Sequence, residues 1–345
     1  MKKMLALLLA LVMALSLAAC ASSQPAAAST ETAETTETTE PAAEESAEAP
    51  AESGKTYTVG VCQLVQHEAL DAATQGFVDA LTEELGDAVT VDVQNASGDS
   101  VNCGTIVNGF VSKGVDLIMA NATPALTAAV SATADIPILG TSITAYGVAL
   151  DIDDFNGTVG GNVSGTSDLA DLQAQAQMIL DWFPETKTVG LLFCSAEPNS
   201  RYQIDEVRKA LEAQGVTCEE FAFTDSNDVS SVTQKAADFS DVVYIPTDNT
   251  AASNTEAIAN VLIPAGVPAI CGEEGLCRGC GVATLSISYY DLGMTTGKMA
   301  AKILKGEADI STMPVEYTDA TPKYNASVCE QLGITPLDGY EAIDG

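Results

Sequence analysis

Apolar runs of four to seven residues alternate along this chain with longer stretches that carry apolar side chains at helical spacing. Tyr57–Cys62 reads YTVGVC, a short β-branched run that predicts a strand. Leu70, Ala73, Phe77, Ala80, Leu81 and Leu85 then fall on one helical face, and Gly86 supplies a stop. Val89–Gln94 predicts a second strand, followed by a helix through Ile106, Val107 and Phe110 to Gly114. Val115–Ala120 and Pro124–Ala132 repeat the unit, and Ile136–Gly140 gives a fourth strand. Repeated βα alternation predicts a parallel sheet with helices on both faces.

Glycine, serine and threonine break the pattern over Gly157–Asp168, which reads as a crossing into a second lobe. The alternation then restarts. Helices are predicted over Leu169–Phe183, Asn199–Gln214, Val229–Phe239 and Ala251–Leu262, with strands at Thr188–Cys194, Val216–Phe223, Val242–Ile245 and Pro268–Cys271. The halves correspond: TVGVC at Thr58–Cys62 with TVGLLFC at Thr188–Cys194, VDLIMANAT at Val115–Thr123 with DVVYIPTDNT at Asp241–Thr250, and IPIL at Ile136–Leu139 with VPAI at Val267–Ile270. A strand at Gly281–Ser288 and a helix at Tyr289–Leu304 cross back, and Pro314–Tyr317 leads into a final crossing before a short helix at Asn325–Leu332. The expected fold is α/β, with two doubly wound parallel-sheet lobes on a three-strand hinge. The expected boundaries are 55–165 plus 289–315 for lobe 1, and 166–288 plus 316–345 for lobe 2. Polar residues stand where strands end and helices begin, the edge at which open α/β sheets bind ligands.

The first residues differ in kind. Lys2 and Lys3 precede a Leu/Ala-rich run, so residues 1–19 read as a secretory signal rather than a membrane span. Leu17-Ala18-Ala19-Cys20 resembles a bacterial lipoprotein processing box, which implies cleavage before Cys20 and a lipid anchor there. Residues 21–54 hold Ala, Ser, Thr, Pro and Glu without large apolar side chains, so 20–54 is expected to be a disordered acidic tether.

A net charge of −34 argues against nucleic acid as a partner. Of the nine cysteines, Cys62, Cys194 and Cys271 each close an apolar run and read as small buried residues. Cys277-Arg278-Gly279-Cys280 is a CxxC, open to a redox or metal role with Cys271, or to a plain surface loop with an optional disulfide. One histidine, no Gly-x-Ser-x-Gly and no phosphate-cradling loop leave no catalytic pattern.

Several segments together resemble the substrate-binding lipoproteins of ABC importers with the type I periplasmic-binding-protein fold, nearest the tryptophan/tyrosine-binding subfamily. They are Gln63-Leu64-Val65-Gln66-His67-Glu68-Ala69-Leu70-Asp71, Asn121-Ala122-Thr123-Pro124-Ala125, Gly140-Thr141-Ser142, Val163-Ser164-Gly165-Thr166-Ser167-Asp168, Ser195-Ala196-Glu197-Pro198-Asn199-Ser200, Pro246-Thr247-Asp248-Asn249 and Ser286-Ile287-Ser288-Tyr289-Tyr290-Asp291-Leu292-Gly293. Ser286-Ile287-Ser288 stands where the family more often has Gly-Ile-Asp, and Arg201 where it more often has a small residue.

The resemblance implies a non-enzymatic, monomeric, extracytoplasmic protein without cofactor or metal, anchored at Cys20 to the outer face of the cell membrane. It implies an aromatic amino acid as ligand and a membrane permease as partner. A nucleoside or sugar ligand, or a thiol-based redox or metal lipoprotein, is the alternative. Candidate carboxylate donors are Thr123, Ser142, Ser195, Asn199 and Ser200, of which Thr123 could equally be an N-cap, and Asn199 or Ser200 could instead cap its helix. Asp248 is the candidate ammonium acceptor, with Asp168 a second; each could instead cap a helix. Tyr289 and Tyr146 are ring walls or core residues. Gln63, Asn121, Thr141 and Asn249 complete the candidate ligand set; His67 is a weaker member, and Trp182 reads as packing.

Overall fold

The computed structural model describes residues 55–343. The signal-like segment, Cys20 and the acidic stretch lie outside the described residues.

The first lobe runs through β1 (Tyr57–Gln63), α1 (Glu68–Leu85), β2 (Val89–Asn95), α2 (Ser100–Lys113), β3 (Leu117–Asn121), α3 (Thr123–Ala132), β4 (Ile138–Ile143), α4 (Tyr146–Ala149) and β5 (Val163–Ser167). The second runs through α5 (Leu172–Trp182), β6 (Thr188–Cys194), α6 (Pro198–Glu212), β7 (Thr217–Phe223), α7 (Val229–Phe239), β8 (Val242–Ile245), α8 (Asn249–Ala252), α9 (Thr255–Ala265), β9 (Ala269–Cys271), α10 (Glu274–Cys280) and β10 (Ala283–Ser286). Then α11 (Tyr289–Leu304) returns to the first lobe, β11 (Glu316–Tyr317) joins its sheet, and β12 (Thr321–Tyr324), α12 (Ala326–Leu332) and β13 (Glu341–Ala342) finish in the second.

The first sheet has the order β11-β5-β4-β3-β1-β2 and the second β13-β12-β10-β9-β8-β6-β7. Read from the edge strand inward, β2-β1-β3-β4-β5 and β7-β6-β8-β9-β10 are the same order, so the sequence repeat is a repeat of topology. The pairs are parallel except β10 with β12, which are antiparallel. The first sheet extends through Ser167 and takes up Glu316–Tyr317, slightly past the boundaries expected from sequence. Three segments cross between the lobes: after β5, between β10 and α11, and between β11 and β12.

Each sheet is covered on both faces. Val61's strand neighbour Cys62 packs with Phe110, Ile118 and Leu126 on one side of the first sheet, and Val59, Phe77, Leu117 and Met299 pack on the other. Leu191, Phe193, Tyr244 and Ile204 fill one face of the second sheet, and Leu192, Val243, Ile258 and Leu276 the other. Burial of each such side chain stabilises by about 1.5–3 kcal/mol.

Helix α11 lies against α1 at a distance only glycine permits. A Cβ on Gly76 would stand 2.1 Å from the Tyr290 carbonyl oxygen, and one on Gly293 would stand 2.0 Å from that of Ala73. This contact holds the returning helix, and hence Tyr289 at its start, firmly to the first lobe.

One sequence expectation about the cysteines changes. The CxxC segment is not a surface loop: it forms most of α10, with Cys277 and Cys280 buried in the second lobe's core. Among the described residues no group of three His, Cys, Asp or Glu is placed to hold a metal ion. Cys62, Cys194 and Cys271 are buried strand-end residues, as their surroundings in sequence suggest.

Candidate functional site

The carboxyl ends of both sheets face each other across a cleft, and side chains from both lobes close over a small cavity. The first lobe contributes His67, Leu70, Ser142 and Thr144. The crossings contribute Asp168 and Tyr289, and the second lobe Asn199, Thr247, Asp248, Asn249, Ala252 and Glu273. The cavity has a volume of only about 10 Å³, room for about one water molecule. The lobes are therefore shut, and a solute larger than water enters only when they part or side chains turn.

Asp168 follows β5 at the first crossing and is 4% exposed. It does not cap the helix after it; Asp171 does, accepting from the N–H groups of Gln173 and Ala174. Its Oδ2 accepts from the Tyr289 hydroxyl at 2.8 Å, while its Oδ1 is buried without a hydrogen-bond partner. Burial raises the carboxyl's pKa, opposed by the Tyr289 and Thr144 hydroxyls. A carboxylate oxygen left unmatched inside a closed cavity is costly unless a donor arrives.

Ser142 is placed by distortion. The pairing of β4 with β5 slips between Gly140 and Ile143, and Ser142 takes φ +56° within that irregularity. A left-handed serine inside a strand is backbone strain, and the irregularity turns the hydroxyl into the cleft. Its buried Oγ also has no partner. Asn199, in the first turn of α6, donates from its amide nitrogen to the Thr247 carbonyl at 3.2 Å and leaves a buried Oδ1 unmatched.

Asp248 is engaged in the fold. Its Oδ2 accepts the Cys194 N–H at 2.6 Å, and its Oδ1 accepts the Ala251 N–H at 2.8 Å, capping α8. Burial and then the Glu197 charge raise its pKa, against those two N–H donors. Both oxygens that the sequence offers to an ammonium are thus occupied by backbone. Glu273, which the sequence reading did not single out, caps α10 in the same way, through the Gly275 and Leu276 N–H groups. Its carboxyl is pushed up to about 7 by burial, opposed by those two donors.

Asn249 is held by Glu197, which accepts from its backbone N–H at 3.1 Å and its side-chain amide at 2.6 Å. Asn249 Oδ1 then meets His67 Nε2, across the cleft, at 3.2 Å. Since the amide nitrogen is already donating to Glu197, His67 is the donor here. Burial lowers the His67 pKa, opposed first by the Asn249 bond and then by the Glu197 and Asp71 charges.

The remaining candidates stand near the cleft but not on the cavity. Gln63 is tied to Asp71, Thr74 and the Val65 carbonyl, and Asn121 to the Leu70 carbonyl and Thr74. Thr141 belongs to a buried hydroxyl cluster with Thr166 and Thr296. Ser195 bonds the Phe223 carbonyl, Thr123 opens α3 without a side-chain cap, and Ser200 is buried in α6. Tyr146 is core, bonding the Gly140 and Thr166 carbonyls, and Trp182 packs edge-on against Tyr340. Sequence reasoning passed over Thr144, Thr247, Ala252, Leu70 and Glu273 as cavity walls; Thr247, next to Asp248, carried the clearest available signal.

Two repeated α/β lobes, three crossings and a polar cavity between strand ends define a solute-binding protein that closes around its cargo. Residues 58–339 match the family model described as ABC transporter substrate binding protein, and the chain belongs to that family. Such proteins work outside the cytoplasm, and among the described residues no helix is long and apolar enough to cross a membrane. A tyrosine-binding protein of Clostridioides difficile is 32% identical over 276 residues, covering 78% of this chain and 79% of that one. The structure of an ABC domain from Streptococcus pneumonia in complex with L-Trp is 32% identical, with a TM-score of 0.79 over 84% of this chain and 100% of that one. A ligand-free, open substrate-binding protein with adhesive properties from Clostridium difficile is 33% identical, with a TM-score of 0.64 over 84% of this chain and 99% of that one.

Proposed function

We propose that this protein captures an aromatic L-amino acid between its lobes and delivers it to a membrane permease. The observation that carries the reading is Asp168 Oδ1, a buried carboxylate oxygen lacking a partner on the wall of the closed cavity. A primary ammonium satisfies it, with Asn199 Oδ1 as the second acceptor. The Ser142 hydroxyl is the matching donor for the carboxylate. Leu70, Ala252 and the Tyr289 ring supply the apolar surface for a side chain. The names of the relatives, one a tyrosine-binding protein and one solved with L-Trp, support the aromatic class. A higher TM-score with the L-Trp complex than with the open form accords with the shut cleft.

In this reading residues 55–167 with 289–317, and 168–288 with 318–343, move as two bodies. The protein acts as a monomer and by binding, not catalysis. Cys20 carries the lipid that holds it on the outer face of the membrane. Calorimetric titration with the twenty amino acids tests the ligand assignment. Saturable binding of tyrosine, tryptophan or phenylalanine, and of few others, is expected; silence from all three overturns it.

A further inference from the structure

The Cys277-Arg278-Gly279-Cys280 segment has no part in the cavity, yet its placement gives it a task. Cys277 and Cys280 face inward from α10, buried in the core cluster that holds Cys271 and Leu276. Arg278 faces the rim of the cleft, with about a third of its side chain exposed. Its Nε donates to Glu68 Oε1 at 3.1 Å, and Glu68 is the first residue of α1 in the other lobe. Its Nη2 donates to Glu274 Oε1 at 2.9 Å. The other oxygen of Glu274 accepts from Lys323 Nζ at 2.8 Å and from the Ser286 hydroxyl. The guanidinium is thus oriented within its own lobe before it meets Glu68.

His67, one residue before Glu68, makes the second crossing of the cleft through Asn249. The start of α1 therefore touches the second lobe at α10 and at α8. Glu68 and Arg278 line an open hollow of about 470 Å³ outside the closed cavity, and neither lines the cavity itself.

We propose that Arg278 and Glu68 form a latch on the closed state. Arg278 is a positioning residue: it slows the parting of the lobes, and so the escape of the ligand, without touching the ligand. The proposal rests on the reading above that the cargo sits in the shut cleft. Both side chains are partly exposed, so the pair contributes modestly and is screened by salt. Leu276, Cys277 and Cys280, packed in the second lobe's core, hold α10 in place beneath it.

The test compares the full chain with Arg278→Gln, Glu68→Gln and the double variant. Release of L-tryptophan or L-tyrosine is followed by stopped flow at low and high salt. Each variant is expected to release about two- to fivefold faster at low salt, the double no faster than the singles, with the difference closing at ~0.5 M salt. The association rate and the melting temperature of Glu68→Gln should match the parent. Equal release rates at low salt, a salt-independent difference, or additive single effects overturn the latch. Small-angle scattering of the ligand-free proteins gives an arm that needs no ligand. A larger radius of gyration for Arg278→Gln and Glu68→Gln at low salt supports the latch, and identical profiles overturn it. If no aromatic amino acid binds while the variants still expand, the ligand reading fails and the latch stands.

Discussion

Tyr289 donates its hydroxyl hydrogen to Asp168 Oδ2 at 2.8 Å, joining two of the three crossings between the lobes. The bond fixes the carboxylate so that its other oxygen faces the cavity unmatched. Asp168→Asn removes the charge while keeping the shape. The expected outcome is a loss of aromatic amino-acid affinity of about 100-fold or more, the cost of leaving a buried ammonium without its counter-charge. The ligand-free protein should melt at the same temperature or higher, because a buried unpaired carboxylate is costly to hold. Calorimetric titration and thermal unfolding of the same preparation separate the two effects.

Tyr289→Phe tests the support rather than the acceptor. The Asp168 carboxyl is already raised by burial, and the Tyr289 hydroxyl is the first group that opposes the rise. Without it the carboxyl stays protonated to higher pH. Ligand affinity should fall more at low pH than at high pH, because a carboxyl raised further is protonated over more of the acidic range. Titration across a range of pH checks this; a loss that does not change with pH would mean that the hydroxyl acts on the ligand directly.

Glu273 makes the stability of the empty protein depend on pH. Its carboxyl titrates near 7 in the fold against an ordinary value of 4.5. Between those values the folded state binds more protons than the unfolded one, so stability falls as pH rises. The contribution is complete below 4.5 and gone above 7, a span worth roughly 3 kcal/mol. Urea unfolding at pH 5 and pH 8 should show this fall, and Glu273→Gln should reduce it, leaving the part that the raised Asp168 and Asp248 carboxyls contribute.

The architecture was legible because its signal is spread over many residues. TVGVC and TVGLLFC, or VDLIMANAT and DVVYIPTDNT, fix strands by apolar runs, and their order fixes the repeat. Side-chain direction at the cleft was not legible, because partners far away in sequence set it. Gln63 and Asn121 end neighbouring strands at the expected edge, yet Thr74 on α1 draws both away from the cavity. Ser142 reaches the cavity through an irregularity in β4 that no residue pattern announces. Helix α10 escaped notice because its seven residues include two glycines and two cysteines, and its cap, Glu273, looks like one more acid in an acidic chain.

The thiols should be quiet in the native state. Cys62, Cys103, Cys194, Cys271, Cys277, Cys280 and Cys329 are buried, and Cys218 alone of the described cysteines is partly exposed. Burial pushes the Cys218 thiol up to about 11, so little thiolate exists at neutral pH. A chromogenic disulfide reagent should modify at most Cys218, and slowly, until denaturant exposes the rest. Rapid modification of Cys277 or Cys280 would revive a redox role for α10.

Asp248 separates a structural acid from a ligand-binding one. It lines the cavity beside Asn199 and Glu273, but its two oxygens bind the Cys194 and Ala251 N–H groups. Those bonds tie the end of β6 to the start of α8, two segments that shape the second lobe's half of the site. Asp248→Ala leaves two buried N–H groups unmatched, at about 1–3 kcal/mol each, less whatever water recovers. The melting temperature should drop by roughly 4–10 °C. Affinity should fall far less than in Asp168→Asn, since the ligand loses no direct partner. Asp248→Asn keeps one acceptor oxygen and should recover about half of the lost stability. Were Asp248→Ala instead to abolish binding at an unchanged melting temperature, the ammonium would belong to Asp248, and the assignment of Asp168 would fall.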